Sequence, residues 1–323
     1  MQALKLCVYD AGEGDRIGSV IGDKVYDLNL CCLQQLAREK QSLDAYRLAN
    51  NIVPPQLEDF LSGEDSALAA AREALAFVVK EGGQQGPGGE SLFHSVEQVN
   101  LKAPILPRTK VICMALAYKS HADVGGKIPY SFPNWFTKIN QVVVGPDDWV
   151  VLHKHHPEPV VYGTELTVVI GKQGKCIPKD QAEDHIWGYT ILNDVTLRGQ
   201  KDRPDRPARK EFDTSAPVGP WIVPKDQLAD LHNLGLSFRI NGKQVQYGTT
   251  SSLLFTIPDI VAEVSKWLTL NPGDIIATGD VGATEPLKPG DIMEDIGGFG
   301  LGFSARDLAK FGFLYLNNGY WNG

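Results

Sequence analysis

The clearest indication of the fold comes from residues 162–171, Tyr162-Gly163-Thr164-Glu165-Leu166-Thr167-Val168-Val169-Ile170-Gly171. After Glu165 this stretch is a short apolar run, rich in β-branched residues and closed by a glycine, which predicts a buried strand. A carboxylate at the start of a buried strand needs a partner, because an unpaired buried charge is very costly. Glu165 is therefore the first candidate for a chemical role.

A second apolar run also carries an acid, Asp194, near its end. The run is Gly188-Tyr189-Thr190-Ile191-Leu192-Asn193-Asp194-Val195-Thr196-Leu197-Arg198. Two acids at the ends of buried strands suit a hard cation such as Mg²⁺, which binds a few carboxylates and several waters. The spacing alone leaves a second interpretation equally open, in which Asp194 is capped by backbone amides or paired with Arg198.

The residues before these strands divide into a β-region and a helical region. Residues 1–30 alternate in short runs around glycine turns, which predicts a small β-meander. Residues 31–80 have a helical pattern, most clearly Asp65–Lys80, where apolar side chains recur at helical spacing. The glycine-rich stretch that ends at Gly89 is typical of an exposed linker, so we expect a domain boundary near residue 100.

From Leu101 onward the sequence predicts mostly short strands, with helices at Lys179–Trp187 and Ile257–Leu268. Proline-glycine turns join the late strands. The predicted fold class is α+β, mostly β. We expect a small α+β accessory domain at residues 1–100 and a β-rich catalytic domain at residues 101–323.

The composition argues against several classes of protein. The 323 residues include 31 basic and 39 acidic side chains, a net charge of −8, so we expect no nucleic-acid partner. No window approaches the roughly 20 apolar residues of a membrane span, and the first residues lack the apolar core of a signal peptide. The five cysteines form no CxxC motif and are odd in number, which favours reduced thiols and a cytoplasmic location.

Short motifs follow one another in order between residues 101 and 303. They are Ala117-Tyr118-Lys119-Ser120-His121, Phe136-Thr137-Lys138, Glu165 to Lys172, Gly188-Tyr189 through Asn193-Asp194-Val195 to Arg198, Lys210-Glu211-Phe212-Asp213, Gly219-Pro220-Trp221, Asn241-Gly242 with Gln246 and Thr250, Pro272-Gly273-Asp274-Ile275-Ile276 with Thr278-Gly279, and Leu287-Lys288-Pro289-Gly290-Asp291. This series resembles the fumarylacetoacetate hydrolase superfamily, and the N-terminal region is similar to the accessory domain that many members carry.

The resemblance implies a mixed β-roll catalytic domain, a homodimer, and a divalent metal, Mg²⁺ or Mn²⁺, at one end of the roll. In the family the metal chelates an oxo acid or β-dicarbonyl compound and stabilises an enolate, which is a Lewis-acid role. Three functions stay open. The expected function is hydrolytic C–C bond cleavage, because that is the commonest activity of the family. The alternatives are decarboxylation, tautomerisation or dehydration of a related oxo acid, and a catalytically silent binding protein.

Carried over by position, the resemblance assigns the metal to Glu165 and Asp194 and makes His121 the catalytic acid–base. Lys138 matches a basic position on the substrate side, which we expect to take part in catalysis. The remaining matched positions are basic or polar and are expected to bind substrate: Arg198, Lys210, Gln246 and Thr250.

The sequence departs from the family pattern at the site itself. The first metal-binding Glu of the family falls on Gly163, which has no ligating side chain. The water-activating Glu falls on Val124, with Asp123 one residue away as a substitute catalytic acid, and this loss favours a non-hydrolytic reaction. The family's Thr-Gly-Thr signature ends on Asp280. We therefore predict that Asp280 enters the site, where it replaces the missing ligand or receives a polar or cationic group of the substrate.

Overall fold

The computed structural model describes residues 3–39, 44–119, 131–146, 148–152, 159–198, 206–228, 230–282, 284–297 and 309–310. Within these residues the strands are β1 Leu6–Asp10, β2 Asp15–Ile21, β3 Lys24–Asp27, β4 Phe93–Ser95, β5 Asn100–Lys102, β6 Val111–Ala115, β7 Asn134–Lys138, β8 Val143–Val144, β9 Val160–Val161, β10 Thr164–Ile170, β11 Ile186–Asn193, β12 Thr196–Leu197, β13 Ala216–Pro224, β14 Gly235–Ile240, β15 Lys243–Thr249, β16 Ile275–Ala277, β17 Ile292–Gly297 and β18 Ala309–Lys310. The α-helices are α1 Leu28–Arg38, α2 Ala45–Ile52, α3 Leu57–Ser62, α4 Glu64–Glu81, α5 Arg206–Lys210 and α6 Ile257–Trp267. Short 3₁₀ helices span Val96–Gln98, Asn140–Val142, Lys179–His185, Lys225–Gln227 and Thr250–Ser252.

The two apolar runs of the sequence are neighbouring antiparallel strands, which confirms that both are buried. β10 and β11 pair in the register Thr164↔Asn193, and every residue of both strands is buried. On its other side β10 pairs antiparallel with β16, and β16 pairs parallel with β6. The start of β10 and the ends of β11, β16 and β6 therefore lie at one edge of the sheet, which we call the mouth of the roll.

The main sheet curls back on itself. Its strand order is β4-β3-β2-β1-β13-β11-β10-β16-β6-β7, with β5 paired to β1 and β8 paired to β13. Only a short 3₁₀ turn separates β8 from β7, yet β8 pairs in parallel with β13 through Ala216↔Val143. This closure makes a mixed β-roll and confirms the α+β, mostly β class. A second sheet, β15-β14-β17-β18, joins the roll through Tyr162, whose ring stacks on Phe238 at a centroid distance of 4.1 Å.

The N-terminal residues extend the same sheet. The predicted meander is formed by β1, β2 and β3, and β1 pairs with β13 through Leu6↔Ile222. α4 confirms the predicted helix and is capped by Gly82, whose φ of 69° is the left-handed conformation that glycine favours. The expected division of the chain near residue 100 stays a prediction, because main-chain pairing links the two parts.

The two later helix predictions have different outcomes. α6 is confirmed, and it begins with a capping box between Thr256 and Asp259. The predicted helix at Lys179–Trp187 is wrong at its end, because a 3₁₀ helix stops at His185 and β11 begins at Ile186. The 3₁₀ segment buries a single residue, whereas Ile186 pairs with Ile170 in the sheet. Among the described residues, no helix has the length and apolar character that a bilayer span requires.

Candidate active site

The mouth of the roll brings together residues that are far apart in the sequence. Glu165 is the second residue of β10, Asp194 follows β11 directly, and Thr278 follows β16. The N–H of Thr278 donates to the carbonyl oxygen of Leu166 at 2.8 Å, which fixes the Thr278–Asp280 segment beside the start of β10. Antiparallel pairing thus gathers acids from three chain segments at one edge.

Glu165 is a buried carboxyl at this edge. It is 1% exposed, and its Oε2 accepts a hydrogen bond from the Gly279 N–H at 2.8 Å. Burial raises the pKa of Glu165 well above its usual value, and the negative charges of Asp194 and Asp280 raise it further. Glu165 therefore favours a proton or a nearby cation over a bare negative charge.

Asp194 is held as an anion by two lysines. Lys210 Nζ donates to Oδ2 of Asp194 and to Oγ1 of Thr196, the latter at 2.7 Å, and Lys138 Nζ lies 3.0 Å from Oδ1. Burial acts to raise the pKa of Asp194, but the Lys210 and Lys138 ammonium groups outweigh it and keep the pKa below its usual value. The environments of Glu165 and Asp194 thus push their pKa values in opposite directions.

Lys138 is committed to the fold around Asp194. Its side chain is fully buried, and Nζ donates to the main-chain oxygens of Lys210 at 2.6 Å and Ser215 at 2.9 Å. An ammonium has three protons, and its acceptors here also include the Val195 carbonyl at 3.3 Å. Oδ1 of Asp194 is consequently left without an aligned hydrogen bond despite the short ion pair. These contacts hold neighbouring residues in place, and participation of Lys138 in catalysis stays a prediction.

Asp280 lies beside Gly163. A Cβ built on Gly163 would lie 3.1 Å from the Cβ of Asp280 and 3.5 Å from its Oδ2. Oδ1 of the half-buried Asp280 accepts a hydrogen bond from the Gly282 N–H at 2.9 Å, which closes a tight turn. The side chain of residue 280 therefore occupies the space that a side chain at residue 163 would enter.

Among the other residues predicted to bind substrate, Gln246 contacts the start of β10. Gln246 is buried, accepts a hydrogen bond from the Thr164 N–H at 3.3 Å and donates to the Gly282 carbonyl. Thr250 is buried, and its hydroxyl accepts a main-chain N–H at 2.9 Å. Arg198 is half-buried and directly follows β12. Contact of these residues with a substrate stays a prediction.

Tyr118 is a residue of this edge that the sequence reasoning missed as a candidate. It is fully buried, and its hydroxyl lies 3.3 Å from Oγ1 of Thr278. Burial raises the pKa of Tyr118, and this exceeds the lowering effect of the Thr278 hydrogen bond, while the charges of Glu165 and Asp280 add to the rise. The sequence offered one signal for Tyr118, which is its position three residues before His121, the predicted acid–base residue.

The predicted acid–base residue His121 and its neighbour Asp123 lie outside the described residues, as does Val124. Their assignment to catalysis therefore stays a prediction.

The donor groups at the mouth of the roll fit a divalent cation in kind. Glu165 and Asp194 offer the carboxylate oxygens that Mg²⁺ and Mn²⁺ prefer, although both oxygens of Asp194 already lie against lysine ammonium groups. Gly163 leaves a gap beside them that Asp280 fills. Across the part of the chain that the structure describes, no three His, Cys, Asp or Glu side chains converge as a metal-binding group.

A mixed β-roll with buried acids and lysines gathered at its mouth is typical of an enzyme site, since charged groups are costly to bury and perturbed pKa values cluster at functional sites. The family profile described as "Fumarylacetoacetate (FAA) hydrolase C-terminal" matches residues 110–302. The chain belongs to the fumarylacetoacetate hydrolase family.

Relatives with named activities show which reactions similar proteins catalyse. The chain is 37% identical over 254 residues to "Oxaloacetate tautomerase YisK" of Bacillus subtilis (strain 168), a match that covers 75% of this chain and 83% of that protein. It is 35% identical over 230 residues to "Oxaloacetate tautomerase FAHD2A, mitochondrial" of Homo sapiens, with 70% of this chain and 69% of that protein covered. The crystal structure of maleylpyruvate hydrolase from Sphingobium sp. SYK-6 with manganese(II) and pyruvate has a TM-score of 0.67 and 27% identity, and covers 91% of this chain and 95% of its own. The chain is therefore an enzyme of this superfamily.

Proposed function

We propose that the enzyme interconverts the keto and enol forms of a small 2-oxo dicarboxylic acid of the oxaloacetate type. The relatives named as oxaloacetate tautomerases support this choice, since they are 37% and 35% identical to the chain. The hydrolase among the solved structures is 27% identical. Val124, at the position where hydrolytic members activate water, supports the same choice.

One observation carries the proposal, namely that the carboxylates at the mouth of the roll are each held by a donor. Asp194 is bound by Lys210, while Glu165 and Asp280 each accept a main-chain N–H. Hydrolysis needs a base that activates water, and Asp194 is a weak base for that task, because Lys210 and Lys138 outweigh burial and keep its pKa below the usual value. Isomerisation needs a single proton carrier and a stabilised enolate.

The proposed reaction moves one proton and needs no co-reactant. The C–H bond at C3 of the keto form breaks, its electrons form the C2–C3 double bond, and the carbonyl oxygen at C2 gains a proton. His121 is the predicted carrier of this proton. The Lys210 ammonium, with its side chain 15% exposed beside Asp194, offers positive charge to the enolate oxygen or to a substrate carboxylate.

The proposed cofactor is a divalent cation, Mg²⁺ or Mn²⁺, held by Glu165 and Asp194. When bound, it would polarise the substrate carbonyl and stabilise the negative charge of the enolate. The manganese ion in the maleylpyruvate hydrolase structure supports a metal in this family but does not choose between the two ions.

Hydrolytic cleavage of a C–C bond is the second candidate, and the 91% coverage of this chain by maleylpyruvate hydrolase favours it. Products separate the two reactions. Hydrolysis gives two carbon fragments, decarboxylation gives carbon dioxide and a shorter acid, and tautomerisation gives one isomer.

The test follows purified enzyme with oxaloacetate and Mg²⁺, using ultraviolet absorbance for the enol and proton NMR for carbon fragments, against a sample without enzyme. Faster approach to the same keto–enol equilibrium, with no new fragment, is the expected result. Accumulation of acetate and oxalate, or of pyruvate, overturns tautomerisation as the main reaction, and so does an unchanged rate.

The assembly and location of the enzyme are also proposals. A homodimer follows from the family resemblance, and light scattering on the purified chain tests it directly. The cytoplasmic location rests on the odd number of cysteines, of which Cys7, Cys31, Cys32 and Cys113 are buried and outside any disulfide.

A further inference from the structure

We propose that Ser215 is a positioning residue of this enzyme and acts through Lys210. Its hydroxyl holds the main chain of residue 210 so that the Lys210 ammonium is directed at the substrate. The expected effect on activity rests on the proposed function, because that function assigns the Lys210 charge to the enolate oxygen or to a substrate carboxylate. Ser215 is not one of the residues that the sequence predicts for the site.

The first argument is the hydrogen bond that the Ser215 hydroxyl donates. Ser215 is fully buried, and its Oγ donates to the main-chain carbonyl oxygen of Lys210 at 2.8 Å. Lys210 is the last residue of α5, so its carbonyl oxygen has no partner within that helix. The bond from Ser215 therefore fixes the end of α5 that carries the Lys210 side chain.

The second argument is a closed triangle of polar contacts around the same carbonyl oxygen. Lys138 Nζ donates to this oxygen at 2.6 Å and also lies 3.2 Å from Ser215 Oγ. A carbonyl oxygen has two lone pairs, so it can accept from Ser215 and Lys138 together. Ser215→Ala removes one of these two donors and takes an acceptor away from Lys138.

The third argument concerns the other end of the Lys210 side chain. Its Nζ donates to Oδ2 of Asp194 and to Oγ1 of Thr196, and it lies 5.0 Å from the centroid of the Phe136 ring. An ammonium has three protons, and among the described residues these acceptors take two, so one proton is left for an oxygen of the substrate. Because the lysine stem is flexible, the direction of that proton depends on a fixed main chain at residue 210.

The turn between α5 and β13 brings Ser215 back to Lys210. Thr214 has a φ of 67°, a left-handed conformation that is uncommon for a β-branched residue. Its Oγ1 accepts the Val151 N–H at 2.7 Å, and the Ser215 N–H donates to the Phe212 carbonyl oxygen at 3.0 Å. Strained conformations of this kind persist where the surroundings fix them, and they are concentrated at functional sites. The turn thus supports a part for Ser215 in the site.

The competing interpretation is that Ser215 supports only the fold. Its main-chain oxygen accepts Lys138 Nζ at 2.9 Å and the Val195 N–H at 3.1 Å, and a change of side chain retains both bonds. Ser215→Ala removes instead the side-chain bond to Lys210. A purely structural effect would lower stability without depending on the Lys210 ammonium.

The experiment is a double-mutant cycle on kcat/KM for oxaloacetate tautomerisation, with wild type, Ser215→Ala, Lys210→Met and the combined variant. Ser265→Ala is the matched control. Ser265 is also fully buried, its hydroxyl donates to the Ala262 carbonyl oxygen at 2.9 Å and accepts the Ile177 N–H at 2.9 Å, and it lies in α6. Melting temperatures show whether each variant is folded. Ser215→Cys, whose thiol is a weak donor, provides a second route if Ser215→Ala fails to fold.

We expect Ser215→Ala to lower kcat/KM by about tenfold, since a small misplacement of a group that acts on the substrate can cost up to about 10²-fold. In the Lys210→Met background the same substitution should have no further effect, because the ammonium that it positions is already absent. Ser265→Ala should lower the melting temperature and leave kcat/KM unchanged. An unchanged kcat/KM in Ser215→Ala overturns the proposal. An equal loss in both backgrounds overturns it as well and favours the structural interpretation.

A second readout does not depend on the reaction catalysed. Acetylation by acetic anhydride, followed for each lysine by mass spectrometry, reports how freely its amino group meets the reagent. Ser215→Ala should speed the acetylation of Lys210, whose side chain is 15% exposed, and leave that of the 60% exposed Lys266 unchanged. Unchanged labelling of Lys210 overturns the positioning role. Faster labelling of Lys210, in an enzyme whose wild type has no tautomerase activity, overturns only the proposed function.

Discussion

The Nζ of Lys138 lies 3.0 Å from Oδ1 of Asp194, and neither side chain is more than 4% exposed. The same ammonium donates to main-chain oxygens of Lys210 and Ser215. A lysine so placed fixes the orientation of Asp194 and closes the 210–215 segment over it. Replacement of Lys138 should therefore lower the stability of the protein as well as its activity.

Lys138→Met keeps most of the side-chain volume but removes the ammonium. Breaking a buried ion pair on one side costs roughly 3–5 kcal/mol, because the remaining charge is left uncompensated. We expect the free energy of unfolding in urea, followed by circular dichroism, to fall by that order. Lys266→Met is the control, since the Lys266 side chain is 60% exposed in its pair with Glu263 and such pairs are worth about 0–1 kcal/mol. Equal stabilities of the two variants would contradict this role.

Lys210 differs from Lys138 because part of its side chain reaches the surface of the site. It is 15% exposed and lies over the ring of Phe136, with Nζ 5.0 Å from the ring centroid. Lys210→Met should lower kcat/KM for oxaloacetate tautomerisation by about 10²-fold or more, as for loss of one preorganised positive group at a developing negative charge. Lys210→Arg should recover part of the loss. An unchanged kcat/KM in Lys210→Met would remove this residue from the reaction.

Glu165 should make the metal-free protein less stable as the pH rises. Burial, and then the charges of Asp194 and Asp280, raise its pKa well above the ordinary value of 4.5. The folded protein therefore binds this proton more tightly than the unfolded chain does. The stability gained in this way is fully present below pH 4.5 and is lost as the pH rises through the raised pKa. Within that window a single group changes the unfolding free energy by at most about 1.4 kcal/mol per pH unit.

The measurement compares melting temperatures of chelator-treated wild type and Glu165→Gln between about pH 5 and pH 9. We expect the variant to gain on the wild type as the pH rises, since glutamine never acquires the charge. Mn²⁺ should raise the wild-type melting temperature most at high pH, because a ligand of the folded state stabilises it. Parallel curves for the two proteins would show that Glu165 keeps an ordinary pKa.

The strands that carry the site could be predicted because their signal is local. A β-branched run bounded by glycine marks β10, and the acid placed at its start leads to Glu165 without knowledge of any distant residue. The pairing of β10 with β11 then brings Asp194 to the same edge. The interest of Asp280 and Gly163 could be recognised only by comparison with the family pattern. Relative to that pattern, residue 163 has lost a carboxylate and residue 280 has gained one.

The burial of Lys138 could not be predicted, because its partners lie in distant segments. Phe136-Thr137-Lys138 has the alternation of an ordinary strand, and nothing in it distinguishes a buried lysine from an exposed one. Its acceptors on Lys210 and Ser215 come from another part of the chain. The helix predicted at Lys179–Trp187 ended too late for a similar reason, since pairing with Ile170 makes Ile186 a strand residue.

The capping box of α6 gives a prediction that is independent of the site. Oδ2 of Asp259 accepts the Thr256 N–H at 3.0 Å, and the Asp259 N–H donates to Oγ1 of Thr256 at 3.3 Å. Thr256→Ala should lower the free energy of unfolding by about 1 kcal/mol, the usual cost of a lost N-cap. Tautomerase activity at low temperature should be unchanged. A loss of activity without a loss of stability would show that α6 contributes to the site.

Asp27 connects the N-terminal strands to α1 through a buried carboxylate. Its Oδ2 accepts the Tyr9 hydroxyl at 2.6 Å and Arg16 Nε at 2.5 Å, while Oδ1 accepts the Leu30 N–H at 2.7 Å and so caps the helix. Asp27→Ala leaves these donors without their acceptor, at a cost of about 1–3 kcal/mol for each one that stays buried. Asp27→Asn keeps a side-chain oxygen for the cap but loses the charge, so it should be intermediate.

Asp27→Ala also tests how the N-terminal residues are joined to the rest of the chain. β1 pairs with β13, and the side chain of Gln227 exchanges hydrogen bonds with the main chain of Leu4 at 2.7 and 2.9 Å. Unfolding the N-terminal strands would expose one edge of β13, and with it apolar residues of the shared core such as Ile222. Calorimetric melting of Asp27→Ala should therefore show one transition, moved as a whole to lower temperature. Two transitions, of which only the first moves, would show that the N-terminal residues unfold as an independent domain, because the β1–β13 pairing would then be too weak to couple them to the roll.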